Sequence, residues 1–438
     1  MMMALQFAVV LAAIFLGARL GGIAIGFAGG LGVLVLALLG VTPGEMPLDV
    51  ISIIMSVIAA IAAMQVAGGM DFLVDLADRI LRRNPKRITF LAPIITYLMT
   101  LMAGTGHTAF STMPVITEVA KENNIRPSRP LSVAVVASQI AITASPISAA
   151  VVFLASVLEP KGVDYLDILA VAIPSTFLAC MATAAIMMGI DKITGNTELS
   201  SHPEYQRRLA LGTVTVRGRR ERALPPRAGL SVLIFVIGLV GVMAYATAIS
   251  ENVGLIKNPV MDRDSAIIAF MLSIAAIIVL VCKVPTNDIL GASTFKSGMS
   301  ASICVLGVAW LGTTFVTAHE AAITSFSGDL LSSQPWMLAV VLFAASALLY
   351  SQAATTKALI PTALAIGVAP LAAVAAFPAV SALFVLPTYP TLLAAVQMDD
   401  TGTTQIGKYV FNHPFIVPGV INVTIAVAFG FLFGSFIL

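Results

Sequence analysis

Charge is what this sequence has least of. Only 11% of its 438 residues are Asp, Glu, Lys or Arg, where a soluble domain carries about 25%. Its 24 basic and 22 acidic side chains are too few to cover a dispersed chain of this length. An ordinary soluble enzyme is thereby excluded. The net charge of +2 leaves no electrostatic footprint for nucleic acid. Three scattered cysteines form neither a disulfide framework nor a metal cluster. No Walker A phosphate loop occurs, and no soluble stretch is large enough for an ATP-driven pump. Aromatic residues make up 7%, mostly Phe, which reads as packing and lipid contact rather than a cofactor box. No cofactor is implied.

What is abundant is apolar sequence, 58% of the chain. Ten stretches read as spans of a bilayer: 4–18, 21–41, 47–68, 130–158, 165–189, 230–249, 264–282, 297–317, 371–392 and 413–436. The first lacks a basic n-region and runs through Gly17-Ala18-Arg19-Leu20-Gly21-Gly22, a tight turn, so it reads as a span and not as a signal peptide. Two more apolar segments, 88–120 and 334–368, are interrupted near the middle by Gly104-Thr105-Gly106-His107 and by Ser351-Gln352-Ala353-Ala354-Thr355-Thr356. Each arm is about 15 residues, short for a full crossing at 1.5 Å per residue. Both segments are expected to be re-entrant hairpins. Two true spans joined by a tight loop are the alternative.

With the first terminus outside, 20 of the 24 Lys and Arg fall on the inside, among them Arg19, the 79–87 cluster and eight in 190–228. Only Lys161, Lys257 and Arg263 fall outside. Both termini are then periplasmic and 190–229 is a basic cytoplasmic linker, read as solvated. An anionic-lipid contact is its second reading.

The order repeats. Three spans, a hairpin and two spans fill 1–189, and the same series fills 230–438. Each half crosses five times, so the second is inverted. Pro114 follows Gly104 by ten residues, as Pro361 follows Ser351. After each hairpin comes a span with a broken middle, Thr143-Ala144-Ser145-Pro146 within 130–158 and Leu386-Pro387-Thr388-Tyr389-Pro390-Thr391 within 371–392. Inverted repeats with discontinuous helices mark secondary transporters. The expected fold is therefore an all-α polytopic membrane protein of two inverted repeats, ten transmembrane helices and two hairpins.

A broken helix in hydrocarbon survives only where protein, water or ligand satisfies its freed backbone groups. Helix starts at a break present N–H groups that suit a carboxylate. The break residues are small and polar: Thr105, Ser111, Thr112, Ser138, Gln139, Thr143, Ser145, Ser351, Gln352, Thr355, Thr356, Thr388, Tyr389 and Thr391. Lys357 follows the second tip at membrane depth, with no acidic residue within 20 positions. It can offset one carboxylate or stand in for a co-transported cation. Snorkelling to the interface is its bland role. His107, in the first tip beside Gly106, can donate to substrate or titrate, or be a merely satisfied tip histidine. Glu118 and Arg129 are placed to pair. His319-Glu320 reads as an outer loop. Asp399 and Asp400 face an inner vestibule or cap the next helix.

At this point a resemblance covers the chain nearly end to end. It rests on Leu16-Gly17-Ala18-Arg19-Leu20-Gly21-Gly22, Gln65-Val66-Ala67-Gly68-Gly69, Leu81-Arg82-Arg83-Asn84-Pro85-Lys86 and Gly104-Thr105-Gly106. It continues in Gln139-Ile140-Ala141-Ile142-Thr143-Ala144-Ser145-Pro146-Ile147-Ser148 and Leu349-Tyr350-Ser351-Gln352-Ala353-Ala354, and ends in Leu386-Pro387-Thr388-Tyr389-Pro390-Thr391 and Asp399-Asp400-Thr401-Gly402-Thr403-Thr404. The sequence resembles the anaerobic C4-dicarboxylate transporter (Dcu) family, in its DcuA-type branch, and more distantly the ion-transporter superfamily. The resemblance implies an inner-membrane carrier of Gram-negative bacteria for fumarate, succinate, malate and aspartate. It implies exchange by an elevator-type or related mechanism, and a homodimer. It puts substrate at Thr105, Gly106 and His107 with Thr143 and Ser145, and at Ser351, Gln352, Thr355, Thr356 and Lys357 with Thr388 and Tyr389. Sodium-coupled relatives in the superfamily show Ser-Asn-Thr at the tips. Here Gly-Thr-Gly and Ser-Gln-Ala stand there, which argues against sodium coordination. Symport with protons or sodium is the alternative. A channel lacks its continuous pore, and an intramembrane protease its His-Glu-x-x-His.

Overall fold

The computed structural model describes residues 2–438 except 21–22, 47, 195–197, 215–223, 250–254, 293, 297, 301, 304–305, 308–309, 316, 320–333, 350, 366, 387–388 and 408–411. Among the described residues regular structure is helical, apart from one isolated bridge between Ile125 and Glu198. Composition dictates this, because a helix satisfies its backbone groups within one segment and needs no water to do so. Six described helical stretches are long and apolar enough to cross a bilayer: Pro85–Ala103, Ser128–Lys161, Tyr165–Thr194, Ala228–Tyr245, Asp264–Cys282 and Ile416–Ile437. Ile51–Val66 joined to Gly69–Arg83 across a 70° bend makes up to seven.

In chain order the helices are α1 (Met2–Leu20), α2 (Ala24–Leu38), α3 (Leu48–Val66), α4 (Gly69–Arg83), α5 (Ile88–Ala103), α6 (Ala109–Glu122), α7 (Ser128–Ile140), α8 (Ala149–Leu158), α9 (Tyr165–Thr194), α10 (Pro203–Ala210), α11 (Ala228–Ile249), α12 (Arg263–Cys282) and α13 (Thr286–Gly291). After a partly described helical stretch within 294–319 come α14 (Met337–Leu349), α15 (Gln352–Ala365), α16 (Pro370–Ala376), α17 (Pro390–Met398) and α18 (Ile416–Ile437). Local chemistry sets several ends. Asp262 caps α12 by accepting the Ser265 amide at 3.1 Å. Gly68, at φ +86°, makes the sharp turn from α3 into α4. Helix α4 is amphipathic, burying Met70, Val74, Ala77 and Leu81 on one face.

Two main apolar cores divide the molecule. One is built by α5 to α9 with α14 to α18, the other by α3, α4, α11 and α12. The stretch 128–161 lies inside, with 78% of its apolar window buried, against 28–33% for α11, α12 and α18. Those three therefore present broad apolar faces outward, as lipid-facing helices do. The pairings are reciprocal. Helix α1 packs on α2, and α11 on α12. Helix α3 packs on α12, while α2 meets the 311–314 turns, where Gly44 N donates to Thr314 Oγ1 at 3.0 Å. Helix α8 packs on α15, and α6 on α17. Helix α9 packs on α18. Internal repeats leave this pattern.

The described linker residues from 198 to 214 are mostly exposed, but the segment is anchored at a few points. Leu199 is 1% exposed, and its amide donates to Asn124 O at 3.0 Å. Arg208, on α10, donates to Asp400 O at 3.2 Å. Arg207 and Arg208 hold the Glu204 carboxyl down to about 2. A buried leucine and two bonds to loops of the large core dock this segment, an effect that charge counting could not foresee.

Candidate functional site

Both broken spans break where backbone carbonyls or amides lose their helical partners. In the first, α7 ends at Ile140, a 3-10 turn covers Ala141–Ala144, and Ser145 and Ser148 are extended before α8 begins. Ser148 caps α8, accepting the Val151 amide at 3.2 Å and donating to Ile142 O at 2.7 Å. In the second, the disturbance starts earlier than 386. A 3-10 segment runs over Phe377–Phe384 with non-helical angles at Ser381 and Ala382, and α17 resumes at Pro390. Pro378 was the available signal, since it removes an amide from the helix ladder. Ser346, on α14, bridges the kink by donating to Ala379 O at 3.1 Å and accepting the Ala382 amide at 3.2 Å.

The two breaks meet at Gln139. Its main-chain oxygen accepts from Gln352 Nε2 and from Ser381 Oγ, each at 3.3 Å. Its Nε2 donates to Thr391 Oγ1 at 3.1 Å. One residue of the first broken span thus ties Gln352, at the start of α15, to both sides of the second break. All four residues are buried. Gln139 and Thr391 stood among the polar break residues but outside the expected substrate set, and Ser381 stood in neither. The sequence signal for Gln139 was an amide inside an apolar run.

The stretch expected to be the first tip, Gly104 to Thr108, packs against Thr100, Ser138 and Ile147. Gly104 closes α5 at φ +65°, donating to Thr100 O at 2.8 Å, and a Cβ there would lie 3.2 Å from Ile147. Gly106 is buried against Ser138, Thr108 bonds to Thr100 at 3.0 Å and to Thr105 O at 3.3 Å, and Ser145 donates to Leu101 O at 2.7 Å. Several expected ligand donors are spent on their own helices. Thr143 donates to Ile140 O, Thr355 to Ser351 O and Thr356 to Gln352 O, each at 2.7 Å. Ser351 Oγ caps α15 by accepting the Ala354 amide at 3.1 Å. Tyr389, half-buried, precedes Pro390 at the start of α17. Lys357 is half-buried, with its ammonium 5.0 Å above the ring of Phe153 on α8. The His107 side chain and Thr388 lie outside the described residues.

The other polar candidates find structural partners. Glu118 takes Lys121 at 3.0 Å, and Lys121 also takes Asp400 at 2.9 Å; Arg129 takes Asp191. Asp399, 1% exposed, folds the 399–404 turn by accepting from the amides of Thr401 at 3.0 Å and Thr404 at 2.7 Å. His319 bonds to Gln6 of α1 at 2.6 Å, and Glu320 lies outside the described residues. A cavity of about 300 Å³ lies elsewhere, between Val66, Pro225 to Arg227 and Cys282 to Pro285, and shares no residue with the breaks.

A family model described as "Anaerobic c4-dicarboxylate membrane transporter" matches residues 2–438. The chain belongs to the DcuA/DcuB family. It is 64% identical to the C4-dicarboxylate transporter DcuA of Wolinella succinogenes over 438 residues, all of both chains. It is 58% identical to DcuA of Escherichia coli K12 over 437 residues, again all of both, and 37% identical to DcuB of Escherichia coli O6:H1 over 99% of each. Family membership makes it a secondary transporter of C4-dicarboxylates in the bacterial inner membrane, and not an enzyme. Among solved structures, the YdaH transporter of Alcanivorax borkumensis matches with a TM-score of 0.55 at 14% identity, over 89% of this chain and 84% of that one. At that identity the likeness speaks for fold alone.

Proposed function

We propose that this protein exchanges C4-dicarboxylates, fumarate, succinate, malate and aspartate among them, through one central site where the two broken spans and the two hairpin tips face each other. The observation that carries the reading is the Gln139 junction, which joins polar residues of both halves inside the large core. The fold proposed is two inverted repeats, 1–189 and 230–438, with ten spans and two re-entrant hairpins. The reciprocal pairings of α8 with α15 and α6 with α17 support it.

Helix direction explains how such a site takes a dianion. Phe153 stands four residues into α8 and Lys357 five into α15, so helices running the same way from the junction begin at one depth. Lys121, at the far end of α6, likewise meets Asp400, just past α17. Four helix starts then converge, each leaving first-turn amides without an intrahelical acceptor. Each start carries about half a positive charge. Amides at α8 and α15 suit one carboxylate, and those at α6 and α17 the other. Two half-dipoles per carboxylate about match its charge, and Lys357 adds an ammonium that can donate to one of them. Thr105, Gly106 and His107 of the first tip, with Thr143 and Ser145, close the site on one side. Ser351, Gln352, Thr355 and Thr356, with Thr388 and Tyr389, close it on the other. The threonine hydroxyls that donate to their own helices stiffen the tips.

A bound dicarboxylate offsets much of the positive potential that four helix starts and Lys357 put at the site, and the empty site lacks that offset. A charged empty site crosses hydrocarbon poorly, so occupancy is needed in both directions. That is exchange, carried by an elevator-type movement of the large core against the scaffold of a homodimer. Proteoliposomes preloaded with succinate should take up labelled fumarate or aspartate in sodium-free buffer. Uptake into empty vesicles that demands a sodium gradient would overturn the exchange reading in favour of symport.

A further inference from the structure

We propose that Gln139 determines specificity: its side-chain oxygen accepts a hydrogen bond from the substituent on the substrate's second carbon, the ammonium of aspartate or the hydroxyl of malate. The proposal rests on the reading of the Gln139 junction as the substrate site, and deepens it. Gln139 is 1% exposed. Two of its polar groups make three hydrogen bonds: the main-chain oxygen accepts from Gln352 and Ser381, and Nε2 donates to Thr391. Its Oε1 is buried and has no hydrogen-bond partner among the described residues. A buried acceptor left without a donor is costly.

The chemistry of the surroundings says what that donor is. Helix starts and Lys357 offer hydrogens or positive charge, as two carboxylates require, while the hydroxyls of Thr143, Ser145, Thr355, Thr356 and Ser381 already donate to protein carbonyls. A carboxylate has nothing to give Oε1. Succinate and fumarate consist of two carboxylates and hydrocarbon, so they leave the acceptor unpaired. Aspartate and malate carry a donor between the carboxylates, where a central acceptor meets it. A site that bonds a substrate donor binds the analogue lacking it less tightly, because the protein group is then stranded. Thr391 fixes the amide at the start of α17, and Gln352 and Ser381 fix the backbone, so the acceptor is held in place before substrate arrives.

The test measures affinities of purified full-length protein for L-aspartate, L-malate and succinate, with a thermal-shift control. In Gln139→Met, which keeps length and loses the acceptor, the preference for aspartate over succinate should fall about ten- to a hundredfold, as loss of a bond to a charged group does. The preference for malate should fall less, about two- to tenfold, since its hydroxyl is neutral. Gln139→Glu keeps an acceptor, and its added charge repels the carboxylates of both substrates alike. It should preserve the aspartate preference while weakening both ligands. An unchanged preference in Gln139→Met, with both affinities lowered equally, overturns the inference and leaves the junction as the site, with the amide serving carboxylates or structure. Affinities unchanged for all three substrates overturn the inference and the placement of the site together.

Discussion

Two lysines of this membrane protein are handled in opposite ways. The Lys121 side chain is 4% exposed and is held between Glu118 and Asp400 at 3.0 and 2.9 Å, so its charge is neutralised within the fold. Lys357 rests on the face of Phe153, which orients its ammonium. Lys121→Ala should therefore cost stability, about 1–3 kcal/mol, between the limits for exposed and buried pairs. Lys357→Ala should instead weaken succinate about ten- to a hundredfold. A monocarboxylate probe should suffer less, and Lys357→Arg should recover only part, since a planar fork replaces a point charge. Melting curves and succinate titrations of both variants decide it. Intact succinate affinity in a stable Lys357→Ala protein would remove Lys357 from the site. The oddity of Lys357 was legible in the sequence, because no acid lies near it. The distant partner of Lys121 was not, because Asp400 stands 279 residues away and only the packing of α6 on α17 joins them.

Elements were legible where punctuation was strong. Gly104 and Ser351 marked the two tips, and each proves to hold a helix end: Gly104 in a left-handed turn closing α5, Ser351 as the cap of α15. The first break appeared at Thr143 to Pro146 and extends from Ala141 to Ser148. The second was misplaced at its start. Phe377 to Phe384 reads as a continuous apolar helix, and Pro378 is its one visible defect; the kink at Ser381 depends on Ser346 from another helix. Side-chain bonds across elements leave no period in a sequence. Both tips should be sensitive to small changes. Gly104→Ala forces a Cβ into the left-handed region and to 3.2 Å from Ile147, for a loss of about 1–2 kcal/mol. Ser351→Ala removes a cap, at about 0.5–2 kcal/mol. Thermal unfolding of the two purified variants should show both losses, and exchange should slow with them. A Gly104→Ala protein as stable as the parent would mean that this tip is not held as described.

At the scale of the whole molecule, composition settled the class, while the attachment of the linker came only from contacts. Leu199, Arg208 and Glu204 sit on loops that follow α6 and α17, the two arms that meet at Lys121. Every segment in that cluster, Arg82 and Glu122 included, is one that charge counting puts on the cytoplasmic side. If the sides were wrong for any one of them, the cluster would need a loop to thread the membrane. The prediction that follows concerns orientation, with both termini periplasmic and 190–229 cytoplasmic. Ala210 ends α10 and is exposed, so a cysteine there is reachable without disturbing a core. In a background with Cys180, Cys282 and Cys304 replaced, Ala210→Cys should resist an impermeant thiol reagent in intact cells and react after permeabilisation. Leu438→Cys, at the last residue, should react from outside at once. Ready labelling of position 210 in intact cells would invert the orientation. It would also turn the hairpins around, so that the tip carrying His107 would be reached from the periplasm and the tip carrying Lys357 from the cytoplasm.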